Sequence, residues 1–310
     1  MKPGIIFGMM MACGMGLITC STPANDSSAT NIATPAYTTS DLTDSVFTSG
    51  IEGPAVDREG NLYVVNYQKQ GTIGVIRPDG SQALLVNLPD SSIGNGIRIN
   101  ASGQLYVADY TRHNILEIDP ISKIISVFAH NDLMNQPNDL AIRRNGTLFA
   151  SDPKWSANTG QLWRIDRDGS THLLADSLGT TNGIEVSPDD HILYVGESAQ
   201  KLVWAFDIDE AGNLSNRRIF HEYHDFGLDG MRCDVQGNLY VSRYGKGVID
   251  ILDPQGNSLR EVTMKGKKTS NIAFGGPDGK TCYVTLQDRG VVETFRTEYP
   301  GRSWQLLHSN

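Results

Sequence analysis

The feature that most constrains the fold is a repeat of about 43 residues. An aromatic residue preceded by Leu or Cys and followed by Val or Ala recurs six times, at Tyr63, Tyr106, Phe149, Tyr194, Tyr240 and Tyr283. Consecutive copies are 43 to 46 residues apart. Self-similarity at such a period is typical of repeat architectures. Because each repeat has room for about four short strands, each copy is predicted to be one β-propeller blade.

The order of strands within a blade can be read from one copy. Ile97 and Ile99 alternate in a first strand, a turn follows at residues 100–103, and the second strand carries Tyr106. The glycine at the end of that turn suits a hairpin that needs a positive φ. The predicted fold class is therefore all-β: a six-bladed β-propeller with four-stranded blades.

The sixth blade lacks an outer strand of its own. Ser45–Thr48, an N-terminal strand just before the first blade, is expected to supply it, and Trp304–Leu307 is the alternative. Closing the ring with one terminus removes the exposed sheet edges that an open array would leave.

The N-terminus has the composition of an export signal. Lys2 gives a short positive region, residues 5–18 an apolar one, and Cys20 lies where a leader would be cut. The apolar stretch is too short and too rich in Gly for a comfortable membrane span. Cys20 followed by Ser-Thr-Pro resembles a bacterial lipoprotein box; a simple secretory leader is the alternative, and Cys13 is a second candidate position.

These patterns divide the chain into three parts. Residues 1–20 are expected to be a signal peptide, specifically a lipoprotein leader, residues 21–41 a flexible tether rich in Ser, Thr, Pro, Ala and Asn, and residues 42–310 the propeller. The protein is expected to be bacterial and exported, either periplasmic or anchored to the outer membrane through a lipid on Cys20.

The net charge of −9 gives no electrostatic reason to expect nucleic acid or an anionic membrane surface as a partner. Cys233 and Cys282 are expected to be free and buried.

Six polar residues open the first strands, eleven or twelve positions before each aromatic residue. They are Glu52, Asn95, Asn138, Asn182, Asp229 and either Asn271 or Ser270. Equivalent positions in a closed ring converge at one mouth of the central channel. Two carboxylates among amides suit a hard divalent cation such as Ca²⁺, and the lack of Cys and His in the set argues against Zn²⁺. Alternatively, these six polar side chains bind no metal and only form hydrogen bonds with backbone groups in the narrow channel.

A second polar layer is expected around this ring. The second strands run antiparallel to the first, so their last residues return to the same mouth. These residues are Asn66, Asp109, Asp152, Glu197, Arg243 and Gln287. They could orient ligands, bind water or hold a second ion.

Five short segments together resemble the regucalcin/gluconolactonase family of six-bladed propellers. They are Ile51-Glu52-Gly53-Pro54, Pro137-Asn138-Asp139, Thr181-Asn182-Gly183, Asp229-Gly230-Met231 and Ala273-Phe274-Gly275-Gly276. The resemblance covers about residues 42–300, and the family is related in architecture to diisopropylfluorophosphatase and paraoxonase. It implies that Glu52, Asn182 and Asp229 hold one divalent metal, that Asn138 lies beside the metal as a ligand or substrate contact, and that Asp229 is the general base.

The chain departs from the family pattern at one position. Sugar-lactone hydrolases of the family often carry Arg two residues before the Asn that corresponds to Asn138, and this chain has Gln136 there. A neutral amide in place of a bidentate cation weakens the case for an aldonolactone as natural substrate. The Asp152-Pro153 pair, in contrast, resembles the corresponding segment of bacterial gluconolactonases. Asn95, Gln136, Asn138 and Asp152 are therefore the expected substrate contacts.

The expected function is hydrolysis of a lactone or similarly small ester with one divalent cation. Ca²⁺ is the expected ion, and Mg²⁺, Mn²⁺ or Zn²⁺ are the alternatives because members of the family differ. A phosphotriesterase-like activity is a variant of the same chemistry. The rival from another class is a non-catalytic exported propeller that binds a protein or ligand through one face.

Overall fold

The computed structural model of the chain describes residues 35–309, together with residues 1, 3, 4 and 8. Every element below belongs to the compact unit formed by residues 34–310. Apart from those four positions, the expected leader with Cys13 and Cys20, and the expected tether up to residue 34, lie outside the described residues. Among the described residues, no helix is long and apolar enough to cross a membrane.

The described residues form six antiparallel four-stranded sheets, which confirms the predicted six-bladed propeller. A short strand, β1 (Ser40–Asp41), comes first. Blade 1 consists of β2 (Phe47–Val56), β3 (Leu62–Tyr67), β4 (Thr72–Ile76) and β5 (Gln82–Asn87). Blade 2 consists of β6 (Gly94–Ile99), β7 (Leu105–Asp109), β8 (Asn114–Ile118) and β9 (Ile125–His130). Blade 3 consists of β10 (Leu140–Ile142), β11 (Leu148–Lys154), β12 (Thr159–Ile165) and β13 (Thr171–Leu178).

The remaining blades repeat this order. Blade 4 consists of β14 (Thr181–Val186), β15 (Ile192–Glu197), β16 (Leu202–Ile208) and β17 (Leu214–Glu222). Blade 5 consists of β18 (Met231–Cys233), β19 (Leu239–Arg243), β20 (Val248–Leu252) and β21 (Ser258–Thr263). Blade 6 contains β22 (Thr269–Gly275), β23 (Thr281–Leu286) and β24 (Val291–Arg296). A 3₁₀ turn spans Trp155–Ala157, and one α-helix, α1, spans Arg302–His308.

An N-terminal strand closes the ring, but it is not the predicted segment. β1 pairs antiparallel with β24, with Ser40 opposite Thr294. The expected closing segment, Ser45–Thr48, instead leads into blade 1, where Phe47 pairs with Tyr67. Ser40 and Asp41 therefore belong to the propeller, although the sequence pattern assigned them to the tether.

The other expected closing segment, Trp304–Leu307, is helical rather than extended. The outer edge of blade 6 is already paired with β1, so α1 has no free strand edge to join. Arg302 is buried and donates hydrogen bonds to the backbone carbonyl groups of Ser187 and Ile142, at the ends of the first strands of blades 4 and 3. Leu307 packs into the core between blades 1 and 2. The helix thus crosses the end of the central channel that is remote from the ring positions.

The hydrophobic core is divided among the six interfaces between blades. The described residues form six apolar clusters, and each one joins two neighbouring sheets. In β3, Leu62 and Val64 pack toward blade 6, while Tyr63 and Val65 pack toward blade 2. This is the period-2 alternation of a strand whose two faces are both buried. Cys233 and Cys282 are free, buried members of these clusters, as predicted.

The first strands of neighbouring blades are in backbone contact close to the channel axis. A β-carbon added at Gly53 would lie 1.8 Å from the backbone oxygen of Asn95, in the next blade. One added at Gly183 would lie 2.2 Å from the backbone oxygen of Asp229. The Glu-Gly and Asn-Gly pairs thus reflect close approach between blades rather than turns within one blade.

We expect Gly183→Ala to destabilise the propeller by about 1–3 kcal/mol or more, because the methyl group must push blades 4 and 5 apart. Urea unfolding at equilibrium measures this free energy. Gly227→Ala is the matched control, since its β-carbon would meet only the Ser198 side chain at 3.3 Å and that residue's backbone oxygen at 3.5 Å. Equal stability of the two variants would contradict the proposed blade contact.

Candidate active site

A cavity of about 430 Å³ opens at the mouth of the channel where the first strands begin. Five of the six ring positions line it: Glu52, Asn95, Asn138, Asn182 and Asp229. Two larger grooves, of about 580 and 600 Å³, lie beside Leu307 at the opposite end, and none of the ring positions is among the described residues that line them. The sequence-predicted cluster therefore coincides with this smaller cavity.

The sixth ring position is occupied by Asn271. Its side-chain amide donates a hydrogen bond of 3.0 Å to Oε2 of Glu52. Ser270, the other residue considered for this position, instead donates to the backbone oxygen of Ile51 at 2.9 Å. Asn271 is buried below the cavity and acts by orienting Glu52.

Glu52 and Asp229 are buried carboxyl groups whose pKa values are both raised. Burial raises the pKa of Glu52 to about 7, although hydrogen bonds from Gly53 and Asn271 oppose the shift. Burial and the charge of Glu52 raise the pKa of Asp229 well above its usual range, and the Asn182 side chain opposes that rise. Two buried carboxyl groups that line one cavity cannot both be charged at little cost unless a cation or a proton compensates them.

Two amide oxygens beside these carboxylates have no hydrogen-bond donor. Oδ1 of Asn138 and Oδ1 of Asn182 are both buried and both unpartnered among the described residues. A buried polar atom without a partner is costly, so such atoms commonly mark a bound ion or water. With Glu52 and Asp229 they make four oxygen donors and two negative charges, a set that fits Ca²⁺ or a similar hard divalent cation.

The described residues contain no group of three or more His, Cys, Asp and Glu side chains placed to bind a metal. The ring does not form such a group because two of its four candidate donors are amides. This composition disfavours a soft-metal site and leaves oxygen as the only donor type.

A layer of charged residues lies beneath the ring, inside the channel. Asp139 is fully buried, and its two oxygens each lie 3.1 Å from a guanidinium nitrogen, one of Arg98 and one of Arg232. Burial acts to raise the pKa of Asp139, but the two guanidinium groups outweigh burial and lower that pKa. Glu185 lies 3.5 Å from Arg302 of α1, so this layer continues to the helix.

This charged layer was not among the predicted features, although the sequence carries a signal for it. Arg98, Glu185 and Arg232 each stand three residues after a ring residue, and each lies between two apolar residues. A charged residue at such a position can only point into the channel or into a blade interface.

The expected second polar layer is present: Asn66 and Gln287 line the cavity, whereas the carboxylates Asp152 and Glu197 brace loops. Asp152 accepts hydrogen bonds from the backbone N–H groups of Asn135 and Gln136 and from Nε1 of Trp163. Glu197 likewise accepts one from the N–H of Gly179. Each of these carboxylates holds the loop that precedes the first strand of its own blade.

Two of the expected substrate contacts therefore lie behind the cavity surface. Asp152 is fully buried, and neither Asp152 nor Gln136 is among the residues that line the cavity. Burial raises the pKa of Tyr110, and hydrogen bonding by the side chains of Gln136 and Trp155 opposes that rise. Gln136 thus does not reach the cavity surface, whereas Asn95 and Asn138 line it directly.

Three aromatic residues line the cavity, namely Tyr110, Trp155 and Tyr244, which we call the aromatic wall. Tyr110 and Tyr244 each follow the last residue of a second strand, as Ser198 does in blade 4. The repeat register could have identified this position, because a residue just past the returning strand must lie at the mouth. Trp155 comes from the 3₁₀ turn after β11.

Comparison with known proteins gives consistent matches. A family model described as SMP-30/Gluconolactonase/LRE-like region matches residues 50–288. A gluconolactonase from Zymomonas mobilis is 28% identical over 282 residues, covering 79% of this chain and 78% of its own length. A regucalcin from Bos taurus is 35% identical over 222 residues, covering 68% and 73%. A solved structure of a regucalcin from Agrobacterium tumefaciens, described as calcium-binding, shares the fold with a TM-score of 0.74 at 21% identity, covering 84% of this chain and 94% of that one.

The raised pKa of Glu52 predicts how the stability of the metal-free protein depends on pH. Its pKa is about 7 in the folded state and about 4.5 in the unfolded state, so between these values the folded protein binds more protons. Stability must then fall as the pH rises through this range, by at most about 1.4 kcal/mol per pH unit for one proton. Urea unfolding in chelator at pH 5, 6, 7 and 8 measures this slope.

Other carboxyl groups also titrate in this range, so Glu52→Gln is the control. The variant should lose part of the negative slope that the wild-type protein shows. A divalent cation should stabilise the wild-type protein more at pH 8 than at pH 5, because protons compete for the same oxygens. Identical slopes for the two proteins would show that Glu52 has an ordinary pKa.

Proposed function

The chain belongs to the SMP-30/gluconolactonase/LRE-like family, and from that membership we propose that it hydrolyses a lactone or similarly small ester with one bound divalent cation. The observation that carries the proposal is the pairing of two buried carboxylates with two buried, unpartnered amide oxygens at one cavity. Relatives that are named gluconolactonase and regucalcin support it.

Four residues would hold the cation: Glu52, Asn138, Asn182 and Asp229. We propose Ca²⁺, because all four donors are hard oxygens and two of them are charged. When bound, such a cation supplies a Lewis acid for the ester carbonyl and for the negative charge that develops on its oxygen. Mg²⁺, Mn²⁺ and Zn²⁺ are the alternatives to be compared.

Asp229 is the proposed general base. Its carboxylate lines the cavity, and burial together with the charge of Glu52 raises its pKa, although the Asn182 side chain opposes that rise. A base with a pKa close to the working pH transfers protons efficiently. Asp229 would take a proton from the attacking water and return it to the alcohol oxygen when the ester C–O bond breaks, so that the products are a hydroxy acid and unchanged Asp229.

Glu52 is less suited to proton transfer. Its Oε2 already accepts hydrogen bonds from the Gly53 N–H at 2.9 Å and from the Asn271 amide at 3.0 Å. These bonds fix the carboxylate and leave the other oxygen for the cation. Glu52 is therefore assigned to cation binding, and Asp229 is assigned to proton transfer.

The cavity offers no cationic side chain to an anionic substrate. Its described lining residues include two carboxylates and no Lys, Arg or His. The bound cation would offset the charges of the two carboxylates, so that it alone could attract an anionic group.

The rival proposal, a non-catalytic binding propeller, has no use for this arrangement. Burying two carboxylates next to each other costs stability. A surface that only bound a protein would gain nothing from that cost, whereas a cation site requires it.

Chelation should abolish lactone turnover, and Ca²⁺ should restore it. Acid release from a panel of lactones and esters, with one phosphotriester included, measures activity with Ca²⁺, Mg²⁺, Mn²⁺ and Zn²⁺ in turn. Asp229→Asn should lower kcat/KM by about 10²-fold or more, the usual effect of losing a general base. Calorimetric titration of the cation into the variant separates loss of the base from loss of the cation.

The control is Asp278→Asn, which removes a surface carboxylate paired with Arg296 far from the cavity and should leave kcat/KM unchanged. Full activity of Asp229→Asn would remove Asp229 from the mechanism. If no substrate of the panel is hydrolysed with any of the four cations, the protein is instead a binding propeller.

We further propose that the protein is exported and anchored through a lipid on Cys20. Only the composition of residues 1–22 supports this proposal, which concerns residues outside the description above. Expression of the full chain in a bacterium, with fractionation and labelling by a fatty-acid probe, tests it. Cys20→Ser should abolish labelling, whereas Cys13→Ser should not; an unlabelled cytoplasmic protein would overturn the proposal.

A further inference from the structure

We propose that the cavity selects lactones that carry an apolar, particularly an aryl, substituent over polyhydroxylated sugar lactones. This inference rests on the proposed function and specifies its substrate class. It comes from the chemistry of the cavity walls rather than from the ring of oxygen donors.

The first supporting observation is the aromatic wall. Tyr110, Trp155 and Tyr244 line the cavity together with the side chain of Ile93. All four are only partly buried, so apolar surface remains accessible inside a cavity of about 430 Å³. Aromatic walls bind apolar and aryl groups by burial and by ring contacts, and small-molecule sites commonly have this composition.

The second observation is that one hydroxyl group of the wall is already engaged. The Tyr244 hydroxyl donates to Oε1 of Gln287 at 3.2 Å. Tyr244 therefore offers a substrate its ring more than its polar end.

The third observation is that two amides of the cavity, those of Asn66 and Asn95, are used within the protein. Asn66 donates to the backbone oxygen of Gly50 and accepts from the N–H of Gly71. Asn95 donates to the backbone oxygen of Asn138. A sugar lactone presents several hydroxyl groups, and each one that loses water without gaining a partner weakens binding.

The fourth observation concerns the position that could have supplied a cation. Gln136 is neutral, it does not line the cavity, and its backbone N–H is held by Asp152. No guanidinium group replaces it among the residues that line the cavity. Arg243, the nearest member of the second polar layer with a positive charge, is buried and paired with Asp225.

The test compares three uncharged six-membered lactones with the cation-loaded protein: dihydrocoumarin, which carries a fused aryl ring, unsubstituted δ-valerolactone, and glucono-δ-lactone. We expect kcat/KM for dihydrocoumarin to exceed that for glucono-δ-lactone by about tenfold or more, the size of discrimination that one apolar contact region can give. Each rate is corrected for spontaneous hydrolysis of the same lactone.

Variants of the aromatic wall identify the source of the preference. Trp155→Ala and Tyr244→Ala should each raise KM for dihydrocoumarin by roughly fivefold or more, and change kcat/KM for δ-valerolactone by less than about twofold, because only the aryl ring contacts the wall. Trp155→Phe should restore most of the loss. Trp204→Ala is the matched control, since Trp204 lies in β16 outside the cavity and packs against Arg217.

A binding measurement makes the test independent of turnover. Calorimetry with two non-hydrolysed lactams, 3,4-dihydroquinolin-2-one and gluconolactam, should show tighter binding of the aryl lactam to the wild-type protein. Trp155→Ala should lose that difference, and it should do so with or without the cation.

The outcomes separate this inference from the proposed function. Faster hydrolysis of glucono-δ-lactone, or equal losses for all three lactones in the wall variants, overturns the inference and leaves a lactonase. Absence of hydrolysis with every cation overturns the proposed function, and the lactam titrations then still decide whether the wall selects aryl groups. Equal affinity for both lactams overturns the inference in that case also.

Discussion

The structure depends on how closely six first strands approach one another around a single axis. Gly53 and Gly183 allow the backbone of one blade to touch the ring residue of the next. Because this contact is between backbones, it fixes ring residues from different blades relative to one another with little freedom. Glu52 and Asp229 lie 177 positions apart in the chain, yet the charge of Glu52 raises the pKa of Asp229. A site built on strand backbones in this way is held more rigidly than one assembled from loops.

Holding buried carboxylates rigidly together is electrostatically unfavourable, and the protein compensates their charge differently at two depths of the channel. Below the ring, Asp139 is neutralised by Arg98 and Arg232, so this layer carries its own counter-charges. In the ring itself, the carboxylates face amides, which offer oxygen but no positive charge. The lower layer thus pairs its carboxylate with cations, although Nε of Arg98 and one terminal nitrogen of Arg232 have no hydrogen-bond partner among the described residues, whereas the upper layer is left with acceptors in excess. The contrast between these adjacent layers is the strongest structural argument for a cation in the upper one.

The sequence predicted most of the fold and of the ring because both follow from the repeat. Period and strand alternation determine blade number and strand order, and the register brings Glu52, Asn95, Asn138, Asn182 and Asp229 to one mouth. What the repeat does not contain could not be predicted from it. β1 has only two residues and no apolar alternation, so nothing in its sequence distinguishes it from a tether. Asp152 occupies the same repeat position as the other members of the second polar layer. Whether its side chain faces a ligand or a loop depends on local hydrogen bonds. Tyr110 and Tyr244 of the aromatic wall lie at a register position that the repeat predicts, whereas Trp155 belongs to a 3₁₀ turn outside the repeat pattern.

The C-terminal helix determines how a substrate can enter the channel and how a product can leave it. Arg302 is bound between blades 3 and 4, and Leu307 packs between blades 1 and 2. The C-terminal helix therefore closes one end of the central channel, and the channel is open only at the other end. A lactone that arrives and the hydroxy acid that departs must share one doorway, so a new molecule cannot enter until the previous one has left. The residues around that single opening would therefore affect both the binding of the substrate and the release of the product.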